Sequence, residues 1–311
     1  MTLLPDSAVR PGRLAVGVVL PSLTVQREQK LPLTEAARHA ELAGLDLVAH
    51  RGGPVSGTPS LDAAVAVAAA AAATERITVV GEACAPALLP PVRAAEQVAS
   101  LQYVADGRLV LAVGTDAGHE RWAAAGVPYD ERERRTDAVL RLLPRLLAGE
   151  RVALPYEPGY AAAESAPAVP MPPVWIGGTS RTAVRCAARL GDGWFPSLAS
   201  AAEVAEGTVQ LAELAAASGR PAPAVVVGTT GALGGEPGLP GRADIAADLA
   251  AAHGGRPGRF ADVPVTGGCR EAAEHLHRYC GAGVTRVLVD IAGGDWRNQV
   301  DLLADVRDLL R

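Results

Sequence analysis

Short apolar runs alternate with longer helical stretches eight times along the chain, and this rhythm constrains the fold more than any single motif. The spacing predicts strands over Leu14–Leu20, Leu45–His50, Arg76–Ala83, Arg108–Gly114, Val174–Gly177, Gly193–Phe195, Ala224–Thr230 and Thr285–Ile291. The helices expected after them are Leu33–Ala43, Leu61–Thr74, Val92–Ala105, Asp130–Ala148, Arg181–Leu190, Ala201–Ser218, Ile245–His253 with Arg270–Cys280, and Trp296–Leu310. Eight strand–helix pairs predict an α/β chain folded as a single (β/α)8 TIM barrel over residues 1–311. A doubly wound sheet would need a Gly-x-Gly-x-x-Gly turn after an early strand, and the first strand runs into Leu20-Pro21-Ser22 instead. Arg151–Pro172 and Thr230–Gly241, rich in Pro and Gly, read as long loops over the barrel mouth, and no linker divides the chain.

Composition narrows the function classes. The net charge of −5, with acids and bases interspersed, offers no nucleic-acid or anionic-membrane surface. Cys84, Cys186, Cys269 and Cys280 form no C-x-x-C pair, which suits a reduced, cytoplasmic protein. The first residues lack a signal-peptide core, and the apolar run Ala63–Ala73 is too short to span a bilayer. The Ala-rich helix around it suits close packing against a neighbour, in the core or at a subunit interface.

The densest local signal is Pro173–Pro196, PVWIGGTSRTAVRCAARLGDGWFP. A buried strand enters a Gly177-Gly178 turn whose amides are open to a ligand, and Thr179 or Ser180 caps the helix that follows. An anion there would meet oriented N–H groups and the positive end of a helix dipole. The alternative is a plain connecting turn. In a barrel, chemistry sits at the C-terminal ends of the strands. That rule nominates His50, Glu82, Cys84, Asp116, His119, Glu120, the Gly177–Ser180 turn, Trp194, Thr229, Thr230 and Asp290. His50 is a proton donor or ring contact. Glu82 interrupts an apolar strand, where a carboxylate is costly unless paired or set in a pocket. His119 and Glu120 begin a helical turn after the fourth strand. Neither H-E-x-x-H, a G-x-S-x-G elbow nor a Walker loop occurs, and His275 and His277 stand two apart on a helix. An organic cofactor with a phosphate tail therefore explains the Gly-Gly turn best.

Five segments, taken in order, resemble the bacterial-luciferase-like superfamily of flavin- and deazaflavin-dependent oxidoreductases. They are Ala40–Asp46, Thr74–Pro86, Pro91–Leu111, Ala124–Arg135 and the PVWIGGTS…ARLGDGWFP stretch. The resemblance implies a (β/α)8 barrel, usually a homodimer, with a flavin-type ring above the mouth and its phosphate at Gly177, Gly178, Thr179 and Ser180. It also implies ring-side contacts from Glu82, Ala83, Gly114 and Trp194, and a non-prolyl cis peptide near Glu82–Ala83. The chain departs from such relatives at three strand ends. His50-Arg51-Gly52-Gly53 stands where an Asp-His pair is common, Glu82 where small or apolar residues are usual, and Gly114-Thr115-Asp116 where a Gly-x-Gly turn is usual. The first expectation is a coenzyme F-420-dependent oxidoreductase acting on a small-molecule substrate, with His50, Glu82 or His119 as catalytic residues. An FMN-dependent two-component monooxygenase served by a separate reductase is the alternative, and a barrel that has lost redox chemistry is the third.

Overall fold

The computed structural model describes residues 13–51, 59–82, 86–114, 119–153 and 168–311. Nine strands form one parallel sheet: β1 Ala15–Val19, β2 Leu47–His50, β3 Thr78–Gly81, β4 Leu109–Gly114, β5 Val174–Gly177, β6 Gly193–Phe195, β7 Ala224–Leu233, β8 Val265–Gly267 and β9 Val284–Ile291. The first seven run in sequence order around the sheet, β7 pairs with β9, and β9 returns to β1, so eight strands close a barrel. β8 stands outside the ring and pairs with the far end of β7 through Gly231↔Val265.

Closure divides the strand side chains by parity, as the two-residue period of a strand requires. Odd positions of β1 and β2, with Val80, Val110, Ala112, Trp175, Phe195, Val226 and Leu288, fill the lumen as one cluster. Val16, Val18, Val48, Val79, Leu111, Ile176 and Val287 face outward into the larger cluster shared with the helices. Both faces are buried, which is why the strands read as unbroken apolar runs.

Every strand read from the sequence is present, and the helices Leu33–Leu42, Ala63–Ala72, Pro91–Val104, Arg132–Leu147, Arg181–Leu190, Ala201–Ala217, Arg242–His253, Cys269–Gly281 and Trp296–Leu309 match the expected ones to within a few residues. The loop expected over Thr230–Gly241 is shorter than read, because β7 continues to Leu233. The extension pairs with β8 along one edge, and on the other it is closed by buried Gln299 of the last helix. Its amide accepts from Leu233 N–H at 2.6 Å and donates to Leu233 C=O at 2.7 Å, standing in for a neighbouring strand. The short helices Leu23–Glu28 and His119–Ala124 carried too few periodic positions to be read as full elements. Among the described residues no helix is long and apolar enough to cross a membrane.

Candidate functional site

The Gly-Gly turn is built from three local decisions. Gly178 takes φ +117°, which an L side chain rarely adopts. Ser180 is the N-cap of helix Arg181–Leu190, and its Oγ accepts from Ala183 N–H at 3.2 Å. Asp192, in the turn at the far end of that helix, accepts from Val174 N–H at 2.9 Å and so fastens the start of β5. One expectation changes. Gly178 N–H is not open to a ligand: it donates to Phe195 C=O at 3.2 Å. The helix donors left for an anion are those ahead of Ala183, the N–H groups of Arg181 and Thr182, which no helix can satisfy internally.

Trp194 serves the turn differently from the contact expected of it. Its indole N–H donates to Gly178 C=O at 2.8 Å, while its ring packs in the outer cluster rather than the lumen. A Cβ on Gly207 of helix Ala201–Ala217 would stand 2.0 Å from that ring, so the helix accepts the indole only because position 207 has no side chain. Trp194 therefore holds the Gly178 peptide from behind.

Beside the turn lies a cavity of about 170 Å³ at the C-terminal mouth, lined by Glu82, Ala112, Gly114, Gly177, Gly178, Phe195 and Ser197. Glu82, Gly114, Gly177 and Gly178 are thus brought together, although 95 residues of chain separate Glu82 from Gly177. Gly114 and Gly177 are register partners on β4 and β5, and a Cβ at Gly114 would meet no atom within 4 Å. The cavity wall there is bare backbone, open to a flat group.

The opposite side of the mouth carries charge. Arg51, just past β2, reaches Glu82 Oε2 at 3.5 Å through Nε and Asp290 Oδ2 at 3.0 Å through Nη1. Glu82 is nearly buried and Arg51 half-exposed, at 10% and 42% of side-chain surface. Burial raises the Glu82 carboxyl above its ordinary value and Asp290 adds to the rise, while Arg51 opposes it. Oε1 of Glu82 is buried and has no hydrogen-bond partner among the described residues. The sequence reading missed Arg51. Its only signal was a cation directly after an apolar strand, in a barrel where two other strands end in acids.

His50 ends β2 at the parity of outward-facing Val48, and the groups that act on its ring are the Leu61 backbone carbonyl and Asp62, at the start of the next helix. Burial is the main cause of its lowered pKa. The strand thus turns His50 away from the lumen. His119 opens its short helix on the surface, with its ring 5.2 Å from that of Tyr129. Thr229 and Thr230 brace the β7 end, their hydroxyls donating to Val263 C=O at 2.7 Å and Asp290 C=O at 3.0 Å. Ala83, Cys84, Asp116 and the Glu82–Ala83 peptide lie outside the described residues, as does most of Arg151–Pro172. Among the described residues no group of three or more His, Cys, Asp or Glu could hold a metal ion.

A family model described as luciferase-like monooxygenase matches residues 15–234. Among curated relatives, an F-420-dependent glucose-6-phosphate dehydrogenase of Beutenbergia cavernae is 34% identical over 161 residues, 49% of this chain and 47% of that protein. The chain spans about half the length of the curated relatives it matches. Among solved structures, an F-420-dependent secondary alcohol dehydrogenase in complex with an F-420–acetone adduct aligns with a TM-score of 0.78 at 16% identity, over 96% of this chain and 99% of that one. A riboflavin lyase with modified FMN and riboflavin aligns with a TM-score of 0.73 at 18% identity, over 96% and 91%. At these identities the structural likeness concerns the fold.

Proposed function

The chain belongs to the luciferase-like monooxygenase family, and from that premise we propose that it is a coenzyme F-420-dependent oxidoreductase acting on a small organic substrate. The observation that carries this reading is the single cavity in which the Gly-Gly turn, the bare wall of β4 and β5, and Glu82 meet. The F-420-dependent sugar-phosphate dehydrogenase among the relatives supports the choice of cofactor.

The residues present fit such a group. The first turn of helix Arg181–Leu190, capped by Ser180, offers N–H donors and a positive dipole end to a phosphate. Gly114 and Gly177 leave room for a planar ring, and Glu82 lines the same cavity. When bound, the coenzyme supplies a carbon that gives or accepts a hydride. The protein binds the phosphate, keeps one wall of the mouth apolar through Ala112 and Phe195, and holds a proton at Glu82, whose raised pKa suits general acid–base work nearer neutrality than an ordinary carboxyl. The reading includes a homodimer, which sedimentation tests.

Titrating the purified protein with coenzyme F-420 and with FMN, while following tryptophan fluorescence, tests the proposal. Trp194 touches the turn and Trp175 packs 6.0 Å from Phe195 of the cavity wall, so an occupied site alters the emission. Saturable binding of F-420 with weaker binding of FMN is expected. Tight FMN binding with none of the deazaflavin would replace this reading by an FMN-dependent monooxygenase working with a separate reductase, a case favoured by the family's description. Binding of neither would leave a barrel without redox chemistry.

A further inference from the structure

Three charged groups from the ends of β2, β3 and β9 meet over the lumen, and the middle one has no motif to announce it. Asp290 belongs to the inward parity of β9, two residues past lumen-facing Leu288. Glu82 likewise follows lumen-facing Val80 by two. Arg51 is two past Ala49, so all three enter the mouth by the same period. The cluster is unequal by design of its charges. One guanidinium serves two carboxylates, and it takes only one oxygen of Glu82, at 3.5 Å. The other oxygen is buried without a partner among the described residues, on a carboxylate that lines the cavity beside Gly114 and Gly178. A buried carboxylate oxygen left unpaired forfeits the hydrogen bonds it would make in water. A ligand presenting a hydrogen-bonding group to it recovers that loss.

We infer that Arg51 is a positioning residue: by engaging Asp290 and Glu82 Oε2 together, it turns Glu82 Oε1 into the cavity as the atom that pairs with the ligand and holds the site's exchangeable proton. The inference rests on the reading above only in taking the cavity as the ligand site. The matching ligand carries an N–H, O–H or carbonyl group at that point rather than an anion, because an anion would face two carboxylates.

The charged groups around the pair define the test. Arg51 favours ionised Glu82 and Asp290 disfavours it. His253, at the end of helix Arg242–His253, feels Arg51, and burial together with Arg51 and Arg259 lowers its pKa. The experiment follows the Glu82 carboxyl of the full chain, without added cofactor, by carbon-13 NMR of glutamate-labelled protein, with Glu82→Gln assigning the signal. Arg51→Gln is expected to raise the Glu82 midpoint by about one unit or more, since one close opposite charge commonly shifts a carboxyl by ~1–3 units. Arg51→Lys restores part of that shift, Asp290→Asn lowers the midpoint, and His253→Asn leaves it within about 0.3 unit of wild type. An unmoved midpoint in Arg51→Gln, or shifts of the same sign in Arg51→Gln and Asp290→Asn, overturns the inference. If Arg51→Gln does not fold, Arg51→Lys and Asp290→Asn carry the same opposition of sign. Because no cofactor enters the experiment, these shifts can appear while F-420 binding fails, which would remove the proposed function and leave the role of Arg51 standing.

Discussion

The two sides of the mouth are made of different materials. On the β5–β6 side, the Gly178 peptide, the helix cap and the helix dipole do the work, and side chains such as Trp194 act from behind. On the β2–β3–β9 side, Arg51, Glu82 and Asp290 form a network of side chains whose partners lie 31 and 239 residues apart. The first is suited to holding a ligand by a fixed anion, since backbone dipoles do not titrate. The second is suited to moving a proton, since its charge changes with its surroundings. Binding suits one wall and proton transfer the other, and mutations should separate them.

The largest expected effect is on the charged wall. Glu82→Gln should lower turnover by roughly 100- to 10,000-fold, the usual contribution of a general acid or base, with cofactor affinity within about threefold of wild type. Comparable losses in both would erase the division between the walls. Its effect on stability has a definite sign. The native carboxyl is raised above its ordinary 4.5, so the folded state binds more protons than the unfolded state once the pH passes that value. Wild type should therefore lose stability as pH rises from 4.5 through the native midpoint, and Glu82→Gln should not, as thermal unfolding across pH would reveal.

On the backbone wall the expected effect falls on affinity. Gly178→Asp forces a side chain into φ +117° and sets a carboxylate beside the helix N-terminus. Lost anion binding predicts at least a roughly hundredfold rise in the F-420 dissociation constant, and strain of ~1–3 kcal/mol falls on stability instead. Gly219→Asp, also at positive φ but with open space around it after helix Ala201–Ala217, controls for the strain alone and should leave affinity unchanged. Equal affinities for both variants would move the phosphate elsewhere.

A smaller effect tests whether the outer layer supports the turn. Alanine favours a helix interior over glycine by ~1 kcal/mol. Gly207→Ala should nonetheless destabilise the protein by about 1–3 kcal/mol, because the new methyl collides with the Trp194 ring. It should also weaken cofactor binding severalfold by disturbing the indole bond to Gly178, and Trp194→Phe should show the same weakening of binding. Denaturant unfolding and the fluorescence titration read the two parts. A stabilised Gly207→Ala variant would contradict the packing. The smallest effect is expected at His50, whose ring is turned toward Leu61 and Asp62. His50→Ala should change affinity and turnover by less than about threefold; a large selective loss of turnover would return His50 to the site.

The same contrast explains what could be read in the sequence. The eight barrel strands, the Ser180 cap and the Gly177-Gly178 turn are set by residues within a few positions of one another, so periodicity and turn chemistry reveal them. Side-chain direction at the strand ends was harder. β6 has three residues and β2 four, too few to count an alternation, and a shift of one position exchanges lumen for outer layer. That is why Trp194 and His50 were nominated for the mouth while Arg51, one residue further, was not. The extension of β7 depended on pairing with β8 and on Gln299, 66 residues away, and the meeting of Arg51 with Asp290 depended on closure of the barrel itself.

The most direct test of the division between the walls is a crystal structure of the protein with coenzyme F-420. The phosphate is expected on the first-turn N–H groups of helix Arg181–Leu190, and the ring against Gly114 and Gly177 with Glu82 Oε1 in contact. A phosphate bound away from the Gly177–Ser180 turn, or a ring out of reach of Glu82, would contradict that division.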